Sequence, residues 1–167
     1  MNTFICAKII PHGKKAVNRG LSLCCIFAHL TFWLIFWYTG RMDKKRLLTH
    51  LQRETVMIWD TLCEIYTPLV HYNEPKVELN NRFWRCAGIC VQGENRIQMA
   101  TKFFLAKTEY FNYMMDVILP HEIIHQADFN LFGESEKICG HGENWQKIML
   151  QYGLPADPYH TMEILRK

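Results

Sequence analysis

An α+β domain is predicted by three features of this sequence: two long apolar periods of three and four residues, a short alternating region between them, and turn residues that cut that region into strands. The first period runs through Leu47, Leu48, Leu51, Thr55, Ile58, Trp59, Leu62, Ile65 and Leu69, the spacing that gives a helix one apolar face. The second resumes at about Lys107 and passes Tyr110, Met114, Val117 and Ile118 on its way to His125 and Phe129. Between them, Lys76 to Asn80, Trp84 to Val91 and Arg96 to Ala100 read as three strands of a small antiparallel sheet. At 167 residues, 49% hydrophobic and 21% charged, the chain is long enough to bury one core without disulfide staples, and its composition excludes a disordered or fibrous protein.

The first 41 residues stand apart from residues 42–167, which carry the domain. Residues 1 to 20 hold Lys8, Lys14, Lys15 and Arg19 and no acidic residue. Leu21 to Tyr38 is apolar apart from Ser22, His29 and Thr31, and as a helix would extend about 27 Å, close to the roughly 30 Å of a bilayer core. Residues 21–38 are therefore read either as a membrane anchor or signal or, since Met42-Asp43-Lys44 looks like an ordinary protein start, as sequence upstream of the true first residue; an extra core helix is the third reading.

From Asp43, a residue suited to capping, the first helix is expected over about 43 to 67, ending before Pro68. A turn at Asn73-Glu74-Pro75 leads into the strands, and Gln92-Gly93-Glu94-Asn95 separates the second from the third. Pro120 predicts a kink or boundary in the second helical segment, and Gly133 a stop. A polar loop follows, then a helix carrying Trp145, Ile148, Met149 and Tyr152 that ends at Gly153.

The net charge of +3 permits nucleic-acid binding without establishing it. Seven cysteines in no framework spacing predict free thiols in a reducing compartment, hence an intracellular, cytoplasmic protein unless residues 21–38 anchor it. The absence of any CxxC pair excludes a zinc ribbon, and Cys86 and Cys90 are expected as buried strand thiols rather than ligands.

The chemistry-bearing stretch is His121-Glu122-Ile123-Ile124-His125. On a helix, histidines four apart lie on one face with the glutamate beside them, the arrangement that holds a zinc ion and a general base. His141, between Gly140 and Gly142, is the candidate third ligand, with Cys139 the competing one. Three histidines and an open fourth position form the catalytic pattern, in which Glu122 takes the proton of the attacking water. The plain alternative makes these surface histidines, a cap and a solvated charge. Asp128 and Glu143 are expected to be solvated or bonded to a ligand's outer nitrogen, Tyr159 and His160 are candidate oxyanion donors, and Trp145, Phe129 and Met149 are expected to pack the helices together.

Arg85-Cys86-Ala87-Gly88-Ile89-Cys90, Arg96-Ile97-Gln98-Met99, HEIIH, Gly140-His141-Gly142 with Trp145 and Met149, and Tyr159-His160-Thr161 together resemble the SprT-like metalloprotease family, which includes bacterial SprT and the eukaryotic DNA-dependent protease Spartan. The resemblance covers roughly residues 45 to 164. It implies a zincin-like zinc metallopeptidase with one catalytic Zn2+ held by His121, His125 and His141, Glu122 as the catalytic residue, and a protein substrate. For Spartan-type members it further implies cleavage of proteins crosslinked to DNA, although the additional DNA-binding elements such members use after the protease core are not found before Lys167. The strand at Arg96 to Ala100 is expected at the sheet edge, where an extended substrate would add to it. A competing reading is a non-catalytic, DNA-associated binding module whose zinc only fixes the fold; a fourth protein ligand, such as Cys139 or His160, would favour it.

Overall fold

The computed structural model describes residues 4–9, 43–133, 140–160 and 162; the apolar stretch 21–38 and Cys139 lie outside the described residues. Asp43 caps the first helix, α1 (Lys44–Ile65), by accepting the Arg46 N–H at 2.8 Å. Its buried side chains, Leu47, Leu51, Thr55, Ile58, Trp59 and Leu62, follow the expected stripe, and a 3-10 turn, Thr67–His71, takes over where Pro68 cannot continue an α-helix. Among the described residues, no helix is long and apolar enough to cross a membrane.

The strands are β1 (Phe4–Ile9), β2 (Lys76–Asn80), β3 (Cys86–Val91), β4 (Arg96–Ala100) and β5 (Tyr159–His160), in the order β2-β4-β3-β1-β5. β3 runs antiparallel to β4 and to β1, whereas β2 is parallel to β4 and β5 parallel to β1. The three expected strands, β2, β4 and β3, thus pair in a mixed and not the expected antiparallel arrangement, parallel between β2 and β4 and antiparallel between β4 and β3.

The reason lies in Asn95. It sits in the left-handed region at φ 47° at the end of the β3–β4 turn, and its side-chain amide donates to the carbonyls of Asn73 and Glu74 at 3.1 and 3.2 Å. Its own carbonyl accepts from Lys76 N–H at 2.9 Å. The start of β2 is thereby tied to the start of β4, so the two run the same way with Lys76 opposite Arg96 and Asn80 opposite Ala100. Residues 81–85 then carry the chain past β4 to β3. This also corrects the expected edge: Arg96–Ala100 is interior, between β2 and β3, and Lys76–Asn80 is the outer strand. β1 falls in a segment whose basic composition predicted no strand.

Two short helices, α2 (Thr101–Ala106) and α3 (Thr108–Tyr113), follow β4. A π-turn, Met114–Ile118, leads into α4 (Leu119–Phe132), and α5 (Glu143–Tyr152) closes the domain. α1 lies against β2 and α4 against β3, while α4 also touches α1 and α5. Enclosed in this way, α4 buries every residue from Leu119 to Asp128, so a helix carrying two histidines and a glutamate runs through the core.

Candidate metal centre

Pro120 has no N–H to donate to the carbonyl four residues back, and its ring crowds that carbonyl. The chain meets this by widening: Leu119 N–H reaches back five residues to the Met114 carbonyl, and Pro120 then occupies the first turn of α4, where no donor is needed. The expected kink is therefore a π-turn placed immediately before His121, and α4 proceeds unbroken to Gly133, which ends it at φ 80°.

His121 and His125 project from one face of α4, both buried at 3% and 0% exposure. His141 comes from the segment before α5. Gly140 turns the chain there at φ 64°, a conformation open to glycine; Gly142, at φ −70°, is extended backbone at the start of α5 and needs no such freedom. The three Nε2 atoms form a nearly equilateral triangle with edges of 3.2, 3.1 and 3.2 Å. A tetrahedral ion with metal–nitrogen distances of about 2.0–2.1 Å places its ligand nitrogens about 3.3–3.4 Å apart, so the donor set fits a metal closely. Among the described residues these three histidines form the cluster that can hold a metal ion.

The electrostatics agree. Burial holds His125 well below the usual histidine range, the neighbouring His121 and His141 lower it further, and the backbone at Gly140 opposes them. Burial also lowers His141 to about 4. Neutral imidazoles are what a metal needs. Three ring nitrogens facing one another at 3.1–3.2 Å also crowd either their lone pairs or their protons, and a cation among them removes the conflict.

Glu122 is fully buried, and neither carboxylate oxygen completes a hydrogen bond. Burial raises its carboxyl well above the usual range; the Cys90 N–H alone opposes this, approaching without reaching hydrogen-bond geometry. A buried carboxylate without a partner is costly in a folded core and marks a site whose charge is answered by something else.

The remaining expectations divide. Cys90 is a fully buried free thiol. Cys86 is disulfide-bonded, which corrects the expectation of free thiols throughout; neither Cys86 nor Cys90 joins the metal-capable cluster. Asp128 is buried, with burial raising its carboxyl to about 6, whereas Glu143 is exposed in the first turn of α5. Tyr159 is 45% exposed, and the side chain of His160 lies outside the description.

Two groups were not singled out for the site by the sequence. Trp145, taken for a core residue, is fully buried and its ring meets all three imidazoles, with centroid distances of 4.8 Å to His121, 5.2 Å to His125 and 4.5 Å to His141. Gln92, taken for a turn residue, donates from its side-chain amide to the His125 carbonyl at 3.0 Å. The closeness of Trp145 to His141 in sequence, four residues on, was the available signal for the first; nothing local pointed to the second.

In this α+β domain three converging histidines, two of them on the helix that buries Glu122, form a donor set that could hold a metal ion. The SprT-like family model matches residues 58–161, and the chain belongs to that family. It is similar to Protein SprT of Pseudomonas fluorescens (strain Pf0-1), 34% identical over 97 residues, covering 58% of this chain and 56% of that protein. Protein SprT of Pseudomonas aeruginosa (strain UCBPP-PA14) is 34% identical over 82 residues, 48% of this chain and 47% of that protein. Protein SprT of Actinobacillus succinogenes is 29% identical over 79 residues, 47% and 43% of the two chains. The chain spans about half the length of the curated relatives it matches. No solved structure matches it.

Proposed function

We propose that this chain is a zincin-like metallopeptidase in which His121, His125 and His141 hold one zinc ion and Glu122 is the general base. One observation carries the reading: three Nε2 atoms 3.1–3.2 Å apart on and beside the helix that also buries Glu122 with both oxygens unpartnered. Among the described residues the cluster has three protein ligands and no fourth, the open pattern of catalytic sites. When bound, zinc polarises a carbonyl, makes water acidic near pH 7 and, by its charge, favours the ionised form of Glu122.

The chain's own residues supply the rest. A Glu122 oxygen accepts the proton of the attacking water and returns it to the leaving amine. The enclosure of α4 keeps bulk water from the carboxylate, which strengthens its interaction with nearby charge. Trp145 holds the three rings in one orientation. The substrate is a protein, and on the family resemblance alone the proposal extends to proteins crosslinked to or associated with DNA.

The test is a pair of substitutions. Glu122→Gln keeps the shape of the side chain and the three histidines, so it is expected to bind zinc as the parent does and to lose peptide-bond cleavage. His125→Ala is expected to lose both. A Glu122→Gln protein that cleaved as fast as the parent would remove Glu122 from the mechanism.

A further inference from the structure

Gly88 lies in β3 with ordinary strand pairing, opposite Met99 of β4, and its φ is not among the positive ones. Its backbone conformation is thus open to any residue, and glycine, which weakens a strand interior, needs another reason to be there. The reason is on the facing helix. A Cβ at position 88 would stand 2.7 Å from Cγ, 2.9 Å from Oε1 and 3.1 Å from Cδ of Glu122. Carbon atoms in good contact are about 3.5–4.0 Å apart. All three of these nearest atoms belong to the Glu122 side chain and none to the backbone of α4.

We infer that Gly88 is a positioning residue for Glu122: the missing side chain in β3 is the seat in which the carboxylate rests. The helix cannot yield to an added methyl group, because α4 is buried at every residue from Leu119 to Asp128, on both sides of Glu122. The side chain must yield instead, by turning to another rotamer, and the two histidines of the same helix stay where they are. The substitution therefore separates the base from the metal ligands. For its kinetic consequence the inference rests on the peptidase reading; the contact itself does not.

Gly88→Ala is tested in the full, zinc-loaded chain. The expected result is unchanged zinc content, KM within about twofold, and kcat lower by on the order of 100-fold, the scale of a misplacement of about 1 Å. A second measurement stands apart from activity. Gly88→Ala lowers the melting temperature when Glu122 is present and leaves it unchanged in a Glu122→Ala background, where the clashing atoms are gone. An equal loss in both backgrounds, or a kcat equal to the parent's, overturns the inference. If the parent chain cleaves no peptide, the peptidase reading fails, while the pair of melting shifts still decides whether Glu122 is seated on Gly88.

Discussion

Replacing Trp145 with alanine removes the side chain that touches all three imidazoles, at 4.8, 5.2 and 4.5 Å between ring centres. The residue is fully buried, so the cavity is expected to destabilise the metal-free protein by about 3–5 kcal/mol. Loss of a group that orients metal-binding rings lowers affinity by about 10–100-fold. Phenylalanine is the control. It keeps most of the ring surface and deletes an indole N–H that has no hydrogen-bond partner; relief of that group, about 1–3 kcal/mol, offsets the area lost. Trp145→Phe should therefore stay within about 1–2 kcal/mol of the parent and bind metal nearly as well. Urea unfolding of the metal-stripped proteins gives the first quantity, and competition with a chromophoric chelator the second. An alanine variant that lost stability but bound metal as tightly as the parent would show that Trp145 only fills space.

Two further predictions come from groups around the site. Burial raises Asp128 from 3.8 to about 6, so the folded protein binds a proton more readily than the unfolded chain; the associated stability is present below about pH 4 and is lost as pH rises through about 6. Relative to Asp128→Asn, the metal-free parent should lose up to about 3 kcal/mol between pH 4 and pH 7, and a stability difference that did not change with pH would contradict the burial of this carboxyl. Asn95→Ala should cost about 2–3 kcal/mol, because it loses the bonds to the Asn73 and Glu74 carbonyls and strains a residue at φ 47°; Asn95→Gly should lose only about 1 kcal/mol, as it accepts that conformation. Equal losses for the two variants, measured by thermal unfolding, would leave the backbone strain unsupported.

What the sequence made legible was local. Helical periods located α1, α4 and α5 because each is read from neighbours three and four apart, and the same spacing put His121 and His125 on one face. Gly140 signalled the turn that brings in His141. The strand directions were not local: β2 pairs with β4 across an intervening strand in sequence, and the clamp at Asn95 that enforces it joins residues about twenty apart. Arg96–Ala100 was expected at an edge, yet it pairs on both sides, with Arg96 held by Glu94 and Glu78 and Gln98 accepting from Asn80 of the neighbouring β2. Trp145 was correctly placed in the core by its spacing, but spacing carries no information on which rings it meets.

The central claim is that three histidines hold one ion without which Glu122 has no work to do. It is tested most directly by stripping the full chain with a chelator, restoring it with zinc, and following metal content together with cleavage of an unfolded protein substrate, in the presence and absence of DNA. One ion per chain, with cleavage lost on removal and regained on addition, is expected. Cleavage that persisted in the stripped protein would contradict it.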